Sequence, residues 1–279
     1  GQRFQLQFDG VFRNASFWLN GFYLGNNLSG YTGESYDVTD YIHFNKNNVL
    51  VVRVDASQYE GWFYEGAGIY RHVWLNQYDN LHIDRNAVFV YSKSDEKVSS
   101  VFIETPVINQ GLAMSRCTVQ TYITDRDGKK LVQVKEQALQ LPPNGSAIVK
   151  QSMAIGGARR WSVDDPYLYR VVSVVKQNGK VVDSTKQRFG IREIEIKPNG
   201  VFLNGRHIKL LGVNNHQDHA GVGSALPDYL QYYRIRLLKN MGVNAYRTSH
   251  NPPTPELLDA CDSLGMLVMD EQRLLNSSP

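Results

Sequence analysis

Hydrophobic and polar positions alternate along the first eighty residues with the period of β-strands. Short apolar stretches occur at positions 4–8, 49–54 and 69–75, and turn-forming residues separate them. Asn20-Gly21 lies between two further stretches, and this dipeptide is the strongest short signal for a β-hairpin with a type I′ turn. Short strands joined by frequent turns are typical of a β-sandwich or jelly roll. We therefore predict such a domain at residues 1–80.

Longer alternating strands follow up to position 189, with loops rich in Asp, Gly, Asn and Pro. The candidate strands cover positions 98–106, 117–123, 131–134, 147–153 and 169–175. Six or seven short strands over roughly a hundred residues are typical of an immunoglobulin-like sandwich. No candidate chemistry occurs among them, so we interpret residues 81–190 as a structural spacer.

A third pattern begins near position 191, where small hairpins give way to apolar strands that alternate with helices. The strands cover positions 210–213, 243–246 and 266–269, and two helix-like segments separate them. This order predicts the opening of a parallel α/β barrel over residues 191–279. Three strands are fewer than the eight that close such a barrel, so we expect the chain to be a fragment. It also starts directly in a strand pattern, without an initiator Met, which suggests a start inside a domain.

Local signals mark both predicted helices. The first opens at Pro227 and ends before Gly242. It carries an apolar stripe formed by Leu230, Tyr233, Leu237 and Met241. The second has Thr254 as its N-cap, Pro255 as its first residue and Gly265 just past its end. These are the residues that favour helix starts and stops, so the helix boundaries follow from sequence alone.

Polar residues gather directly after each of the three barrel strands. The clusters cover positions 214–219, 247–251 and 270–271 and contain histidine, arginine and carboxylate side chains. Barrels of this kind place their chemistry at the carboxyl ends of their strands. The three clusters therefore predict an active-site surface at that end of the barrel.

An aromatic loop at positions 59–68, which contains Trp62, is the one further candidate for chemistry. Aromatic rings stack on the apolar face of a sugar, so the loop is a candidate carbohydrate contact. Aromatic rings also dominate interfaces, so packing against the next domain is an equal alternative.

Composition and charge exclude several classes of function. A formal net charge of +3, without a basic block, argues against a nucleic-acid partner. No apolar run approaches the roughly 18 to 20 residues of a membrane-spanning helix. The two cysteines, Cys117 and Cys261, lie in segments assigned to different domains. We therefore expect no disulfide and interpret Cys261 as a core residue.

Several motifs carry a resemblance to a known family. They are Gly68-Ile69-Tyr70-Arg71, Gly-Val-Asn-Asn-His at 212–216, Asn-Ala-Tyr-Arg-Thr-Ser-His-Asn-Pro at 244–252, Leu-Leu-Asp-Ala-Cys-Asp-Ser-Leu-Gly at 257–265 and Val-Met-Asp-Glu at 268–271. In order and spacing they resemble glycoside hydrolase family 2, and the resemblance covers nearly the whole chain. It implies a mostly β multidomain protein: a sugar-binding jelly roll, an immunoglobulin-like sandwich and the first three β/α units of a TIM barrel.

The resemblance also implies an activity. Members are retaining, exo-acting β-glycosidases that release galactose, glucuronic acid or mannose, and their chemistry needs two carboxylates. In the family both are glutamates on later barrel strands, so the resemblance places them beyond Pro279. We expect a β-galactosidase as the parent enzyme, with β-glucuronidase or β-mannosidase as alternatives. The 279-residue chain alone should be inactive, which leaves it a non-catalytic carbohydrate-binding or structural role.

Substrate-binding residues follow from the same resemblance. His216 and His250 are expected to hydrogen-bond the sugar hydroxyls in the transition state, because imidazole offers directional donors on a rigid ring. Arg247 is expected to orient neighbouring carboxylates. Asp218 and Trp62 complete the predicted set, and a carbohydrate with a terminal β-linked sugar is the predicted substrate.

We expect no cofactor and no metal ion. One branch of the family holds magnesium shortly after the third strand, but the corresponding positions here are Leu275 and Ser277, which cannot ligate it. A rival hypothesis is a metal-dependent hydrolase. It would use the zinc-type ligands His216, Asp218, His219 and His250. Their spacing matches no ligand motif.

Compartment and assembly stay open in the sequence. A bacterial periplasm or secretion is favoured over the cytoplasm. A homo-oligomer is expected, since family members often associate and an exposed strand edge promotes association.

Overall fold

A computed structural model describes residues 2–57, 66–95 and 97–272. They divide into two compact units. The first contains residues 78–210 and 262–265, and the second contains residues 2–77, 211–261 and 266–272. The boundaries of the three domains drawn from sequence stay a prediction.

Residues 2–57 and 66–79 form a small β-sandwich. Its strands are β1 (Gln2–Phe8), β2 (Val11–Phe12), β3 (Ala15–Leu19), β4 (Phe22–Asn27), β5 (Glu34–Asp37), β6 (Leu50–Arg53), β7 (Gly68–Ile69) and β8 (Val73–Asp79). They form a β5-β1-β8 sheet, a β4-β3-β6 sheet and a short β2-β7 pair. Phe8 and Phe17, whose ring centroids lie 4.6 Å apart, belong to the buried cluster of this sandwich. The predicted sandwich is confirmed.

The Asn20-Gly21 turn joins β3 and β4 as predicted. Both residues have positive φ angles, 52° at Asn20 and 88° at Gly21, which a type I′ turn requires. The Asn20 side chain also donates to the Tyr41 carbonyl at 2.7 Å and accepts from the Val49 backbone N–H at 2.9 Å. The turn residue therefore also fixes the approach of the segment that leads into β6.

One predicted strand is wrong. Positions 69–75 were expected to form a single strand, but β7 ends at Ile69 and β8 begins at Val73. Between them the backbone N–H groups of Tyr70 and Arg71 both point at the Gly10 carbonyl, at 3.4 Å. Apolar and polar side chains alternate at these positions as they do in a strand, but the backbone of residues 70–72 is outside the hydrogen-bonded strands β7 and β8.

The second region is a larger two-sheet sandwich. Its strands are β9 (Leu81–Ile83), β10 (Phe89–Ser94), β11 (Val98–Asn109), β12 (Ser115–Thr124), β13 (Lys130–Gln133), β14 (Gln137–Leu141), β15 (Gly145–Gly156), β16 (Tyr169–Gln177) and β17 (Lys180–Phe189). A 3₁₀ turn, Arg85–Ala87, follows β9. One sheet runs β10-β11-β15 with β9 beside β11, and the other runs β13-β12-β16-β17 with β14 beside β12. Two clusters of buried apolar residues draw side chains from both sheets, as predicted for this sandwich.

A small three-stranded antiparallel sheet follows in the same unit. Its strands are β18 (Ile194–Lys197), β19 (Gly200–Leu203) and β20 (Arg206–Ile208). Asn204, at the β19–β20 turn, donates from its side chain to the Trp161 carbonyl at 2.9 Å. The buried Trp161 in turn donates its indole N–H to the Asp262 carbonyl at 2.7 Å. These bonds satisfy polar groups at the end of the larger sandwich.

The last region has the predicted α/β order. Its elements are β21 (Gly212–Asn215), α1 (Asp228–Asn240), β22 (Ala245–Thr248), α2 (Pro255–Leu264) and β23 (Leu267–Met269). The three strands pair in parallel in the order β21-β22-β23. Both ends of α2 are as expected. At its N-terminus, Thr254 Oγ1 accepts the Leu257 N–H at 3.3 Å, and just past its C-terminus Gly265 has a φ of 78°. No helix within the described ranges is long and apolar enough to cross a membrane.

The apolar stripe of α1 is exposed. Met241 is 76% exposed, and Tyr233 and Leu237 also lie on the surface. Among the described residues, the helix buries Gln231 and Ile235 instead. The two buried positions are four residues apart and so define a different helix face, which is the one that packs within its unit.

Cys117 and Cys261 are both buried and are not joined by a disulfide, and Cys261 is a core residue as predicted. Burial raises the pKa of the Cys117 thiol. Such a cysteine behaves as a small apolar side chain.

Candidate functional site

The parallel register of β21, β22 and β23 aligns the three polar clusters. Asn215 pairs with Thr248 at the end of the first two strands, and Arg247 pairs with Met269 across the second and third. The residues that follow each strand therefore emerge at one edge of the sheet. This edge is the carboxyl end at which the sequence predicts chemistry.

A three-residue network occupies this edge. Arg247 donates from Nη2 to Glu271 Oε1, and Glu271 Oε2 lies 2.9 Å from His250 Nδ1. Arg247 Nη2 lies 3.4 Å from the same His250 nitrogen. The backbone N–H of Glu271 donates to Thr248 Oγ1 at 2.9 Å. One carboxylate therefore orients both a guanidinium and an imidazole.

The network changes the pKa of Glu271. Desolvation acts to raise this pKa, but the hydrogen bonds from His250 and Arg247, with the charge of Arg247, outweigh it. The pKa of Glu271 lies below its ordinary value as a result. Glu271 is therefore ionised at neutral pH and serves as an acceptor rather than as an acid.

His216 and His250, the two predicted sugar-binding histidines, lie together. Their ring centroids are 5.6 Å apart and their planes meet at 83°. Both side chains are partly exposed, with His250 at 37%. The two imidazoles thus present a pair of directional polar groups from two different strand ends.

Asp218 lies in the loop that follows β21. The backbone carbonyls of His216 and Asp218 both accept hydrogen bonds from Arg234 of α1, at 2.9 Å for His216. This loop is therefore held from the helix side by one guanidinium.

Arg71 contacts the same loop from the small β-sandwich. Its guanidinium bonds Gln217 and the Pro252 carbonyl, so it reaches the segments after both β21 and β22. Like Arg234, Arg71 was not predicted as a site residue, and neither was Glu271. Glu271 could have been found, because Asp270-Glu271 directly follows the third strand. A lone arginine on a helix gives no such signal, and the Gly68-Ile69-Tyr70-Arg71 motif did not indicate which residues Arg71 would contact.

Three positions singled out in the sequence lie outside the described residues. They are Trp62, Leu275 and Ser277. The predicted carbohydrate contact of Trp62 and the expected absence of the magnesium site accordingly stay predictions.

Within the described ranges, the one group of side chains spaced to hold a metal ion is His72, Asp228 and Glu256. His72 Nε2 lies 3.2 Å from Asp228 Oδ1 and its Nδ1 lies 3.4 Å from Glu256 Oε1. The two carboxylates lie at the N-terminal ends of α1 and α2, where helix dipoles favour negative charge. His72 therefore lies between two carboxylates from two different helices. None of the residues in the rival zinc hypothesis belongs to the group.

Two models of one family match the chain. "Glycosyl hydrolases family 2" matches residues 81–192, and "Glycosyl hydrolases family 2, TIM barrel domain" matches residues 194–277. Together they span the larger sandwich, the small three-stranded sheet and the α/β region.

Two relatives align with nearly the whole chain. The chain is 35% identical to beta-galactosidase BoGH2A of Bacteroides ovatus, over 97% of this chain and 32% of that protein. It is 33% identical to a putative beta-glucuronidase of Formosa agariphila, over 96% of this chain and 32% of that protein.

A crystal structure of a glycosyl hydrolase family 2 member from Bacteroides cellulosilyticus superposes with a TM-score of 0.94. It shares 35% identity, and the match covers 98% of this chain and 38% of that one. The chain thus spans about a third of the length of the curated relatives that it matches.

Proposed function

The chain belongs to glycosyl hydrolases family 2, and on that premise we propose that the whole protein is a retaining, exo-acting β-glycosidase. The proposed substrate is a carbohydrate with a terminal β-linked galactose. The meeting of His216, His250, Arg247 and Glu271 at the ends of three parallel strands carries this proposal.

The network suits the binding of a sugar ring. Hydroxyl groups need directional partners, and His216 and His250 offer ring nitrogens from two strand ends. In this proposal the Glu271 carboxylate holds a proton on His250 Nδ1, because 2.9 Å is a better hydrogen-bond distance than the 3.4 Å to Arg247. The other ring nitrogen, Nε2, is then the sugar-binding atom. Arg247 keeps Glu271 ionised and in place.

Hydrolysis itself needs a pair of carboxylates about 5 Å apart, one as acid/base and one as nucleophile. We propose that this pair comes from outside the 279 residues, as the family resemblance implies. The chain by itself then has one side of a sugar site and no turnover. Its role in isolation would be carbohydrate binding or structural support.

A panel of substrates tests the activity. The complete gene product and the 279-residue chain are assayed separately with nitrophenyl β-galactoside, β-glucuronide and β-mannoside. We expect the complete protein to cleave the β-galactoside and release the β-anomer first, as seen by NMR. We expect the 279-residue chain to cleave none of the three.

Each outcome of the panel has a definite meaning. Preference for the β-glucuronide would replace the galactose assignment with the second candidate, which the 33% identity to a putative beta-glucuronidase supports. Turnover by the 279-residue chain would show that the catalytic pair lies within it. A complete protein that cleaves none of the three, or releases the α-anomer first, would refute the proposed function.

We also propose that the protein forms a homo-oligomer. It rests on the resemblance to glycoside hydrolase family 2, whose members often associate. Light scattering on the complete protein should give more than one monomer mass. A monomer at micromolar concentration would refute this part of the proposal.

A further inference from the structure

We propose that Arg71 is a positioning residue that holds the segments carrying His216 and His250 at the separation that sugar binding requires. The inference rests on the proposed function, in which those two histidines bind the sugar. Arg71 itself bonds neither imidazole ring and acts through the neighbouring residues Gln217 and Pro252.

The guanidinium of Arg71 bonds three separate segments of one compact unit. Its Nη1 donates to the Tyr31 carbonyl at 3.0 Å, and its Nη2 donates to Gln217 Oε1 at 3.2 Å and to the Pro252 carbonyl at 2.8 Å. Gln217 directly follows His216, and Pro252 lies two residues after His250. One side chain therefore ties the ends of two barrel strands to the small β-sandwich.

The acceptors explain why an arginine stands at this position. All three are neutral oxygens, and Arg71 forms no ion pair with a carboxylate in the described part of the chain. Its planar fork of five N–H donors can serve several acceptors in fixed directions at once. A lysine offers its donors from a single point and would not reach all three segments together. The geometry of the side chain, more than its charge, matches the site.

The stem of Arg71 is held in place before it reaches the loops. A Cβ added at Gly10 would lie 2.6 Å from Arg71 Cδ, so only glycine leaves room for the stem. The guanidinium carbon lies 5.1 Å from the centroid of the Tyr70 ring, and Tyr70 Oη donates to the Gly30 carbonyl at 2.7 Å. The side chain is thus fixed along its length, as a positioning group requires.

The interruption between β7 and β8 is explained by the same contacts. If residues 70–72 continued the strand, their side chains would alternate across the sheet. Instead, the backbone N–H groups of Tyr70 and Arg71 both point at the Gly10 carbonyl, and the Arg71 side chain extends to the segments after β21 and β22. Arg234 supports the His216 segment from α1, so that segment lies between two guanidinium groups.

Hydrogen exchange on the complete protein tests the inference without any measurement of activity. In Arg71→Met, we expect the backbone amides of residues 216–219 and 249–251 to exchange about tenfold faster, while β11 and β12 are unchanged. Arg3→Met is the matched control, because Arg3 pairs with Asp37 within the same sandwich and bonds neither segment. That variant should leave both segments unchanged.

Kinetics on the complete protein give the second measurement. Misplacing binding groups by about 1 Å can cost up to about 100-fold in rate, so Arg71→Met should lower kcat at least about tenfold. KM should change less, because the histidines are proposed to act mainly in the transition state. Arg71→Lys should recover only part of the loss, and Arg3→Met should stay within twofold of the parent. Gly10→Ala keeps the guanidinium but displaces its stem, and should resemble Arg71→Met.

The two readouts separate the possible failures. Unchanged exchange at 216–219 and 249–251 in Arg71→Met would refute the positioning role, whatever the activity. Faster exchange in a complete protein that cleaves no β-glycoside would refute the proposed function and leave the positioning role standing. If Arg71→Met does not fold, Arg71→Lys replaces it, and unchanged exchange in both segments then refutes the inference.

Discussion

Different interactions organise the larger sandwich and the strand edge, which is the sheet edge formed by the carboxyl ends of β21, β22 and β23. In the sandwich, side chains such as Val119 and Val171 are fully buried. The buried hydroxyls of Thr105, Thr121 and Ser173 satisfy one another at 3.0–3.1 Å. At the strand edge, the polar side chains are partly exposed and are positioned by charged hydrogen bonds. Burial tolerates many apolar residues of similar size, whereas the strand edge needs particular donor and acceptor atoms.

The largest effect is expected from the sandwich core. Ile123 is 0% exposed, so Ile123→Ala should cost about 2–5 kcal/mol of unfolding free energy through lost burial and a cavity. Urea denaturation of the 279-residue chain measures this. Ile148→Ala in the same sandwich is the control, since that side chain is 55% exposed and should cost less than about 0.5 kcal/mol. Equal losses for the two would mean that burial does not control the stability of this region.

The next effect should fall on activity instead of stability. His250→Ala in the complete protein should lower kcat/KM by about 100-fold, as loss of one transition-state hydrogen-bonding group typically does. The unfolding midpoint should shift by only a few degrees, because the side chain is 37% exposed. His43→Ala, at an exposed position of the small sandwich, is the control and should retain full activity. A large loss of stability with little loss of activity would mean that His250 supports the fold and not the activity.

The smallest effect is a pH dependence at the strand edge. The pKa of Glu271 is lowered in the folded chain, so its ionised form adds stability above the ordinary glutamate pKa of about 4.3. That contribution is lost as the pH falls through the lowered folded pKa. Wild type should therefore be more stable than Glu271→Gln at pH 7, and the difference should shrink towards pH 3. Urea denaturation at both pH values measures it, with Glu195→Gln as a surface control; a difference that grows at pH 3 would contradict the assigned sign.

Local features were predictable because their causes lie within a few residues. The Asn20-Gly21 turn needs only the tolerance of Asn and Gly for positive φ. Helix α2 follows from Thr254 and Pro255 at its start and Gly265 after its end, and the structure has these boundaries. The order of strands and helices, and hence the polar edge, follows from such local signals taken together.

The support of the site was not predictable in this way. Arg71 bonds Gln217 across 146 positions and Pro252 across 181, and its own segment resembles a strand in sequence. Arg234 lies on α1, and the apolar stripe of this helix predicted a buried face different from the one that the structure buries. The sequence therefore did not indicate what Arg234 contacts. Glu271 was visible as part of a motif, but its partners came only from the register of β22 beside β23.

By itself, the sequence determined which elements form and that histidine, arginine and carboxylate residues end the barrel strands. Side-chain periodicity and capping act between residues no more than a few positions apart, so they can be recognised in the sequence. Only the tertiary structure decided that Glu271 joins His250 to Arg247, and that Arg71 reaches the segments beside both histidines. Those bonds depend on parallel pairing and on packing between distant segments, which no local pattern in the sequence specifies.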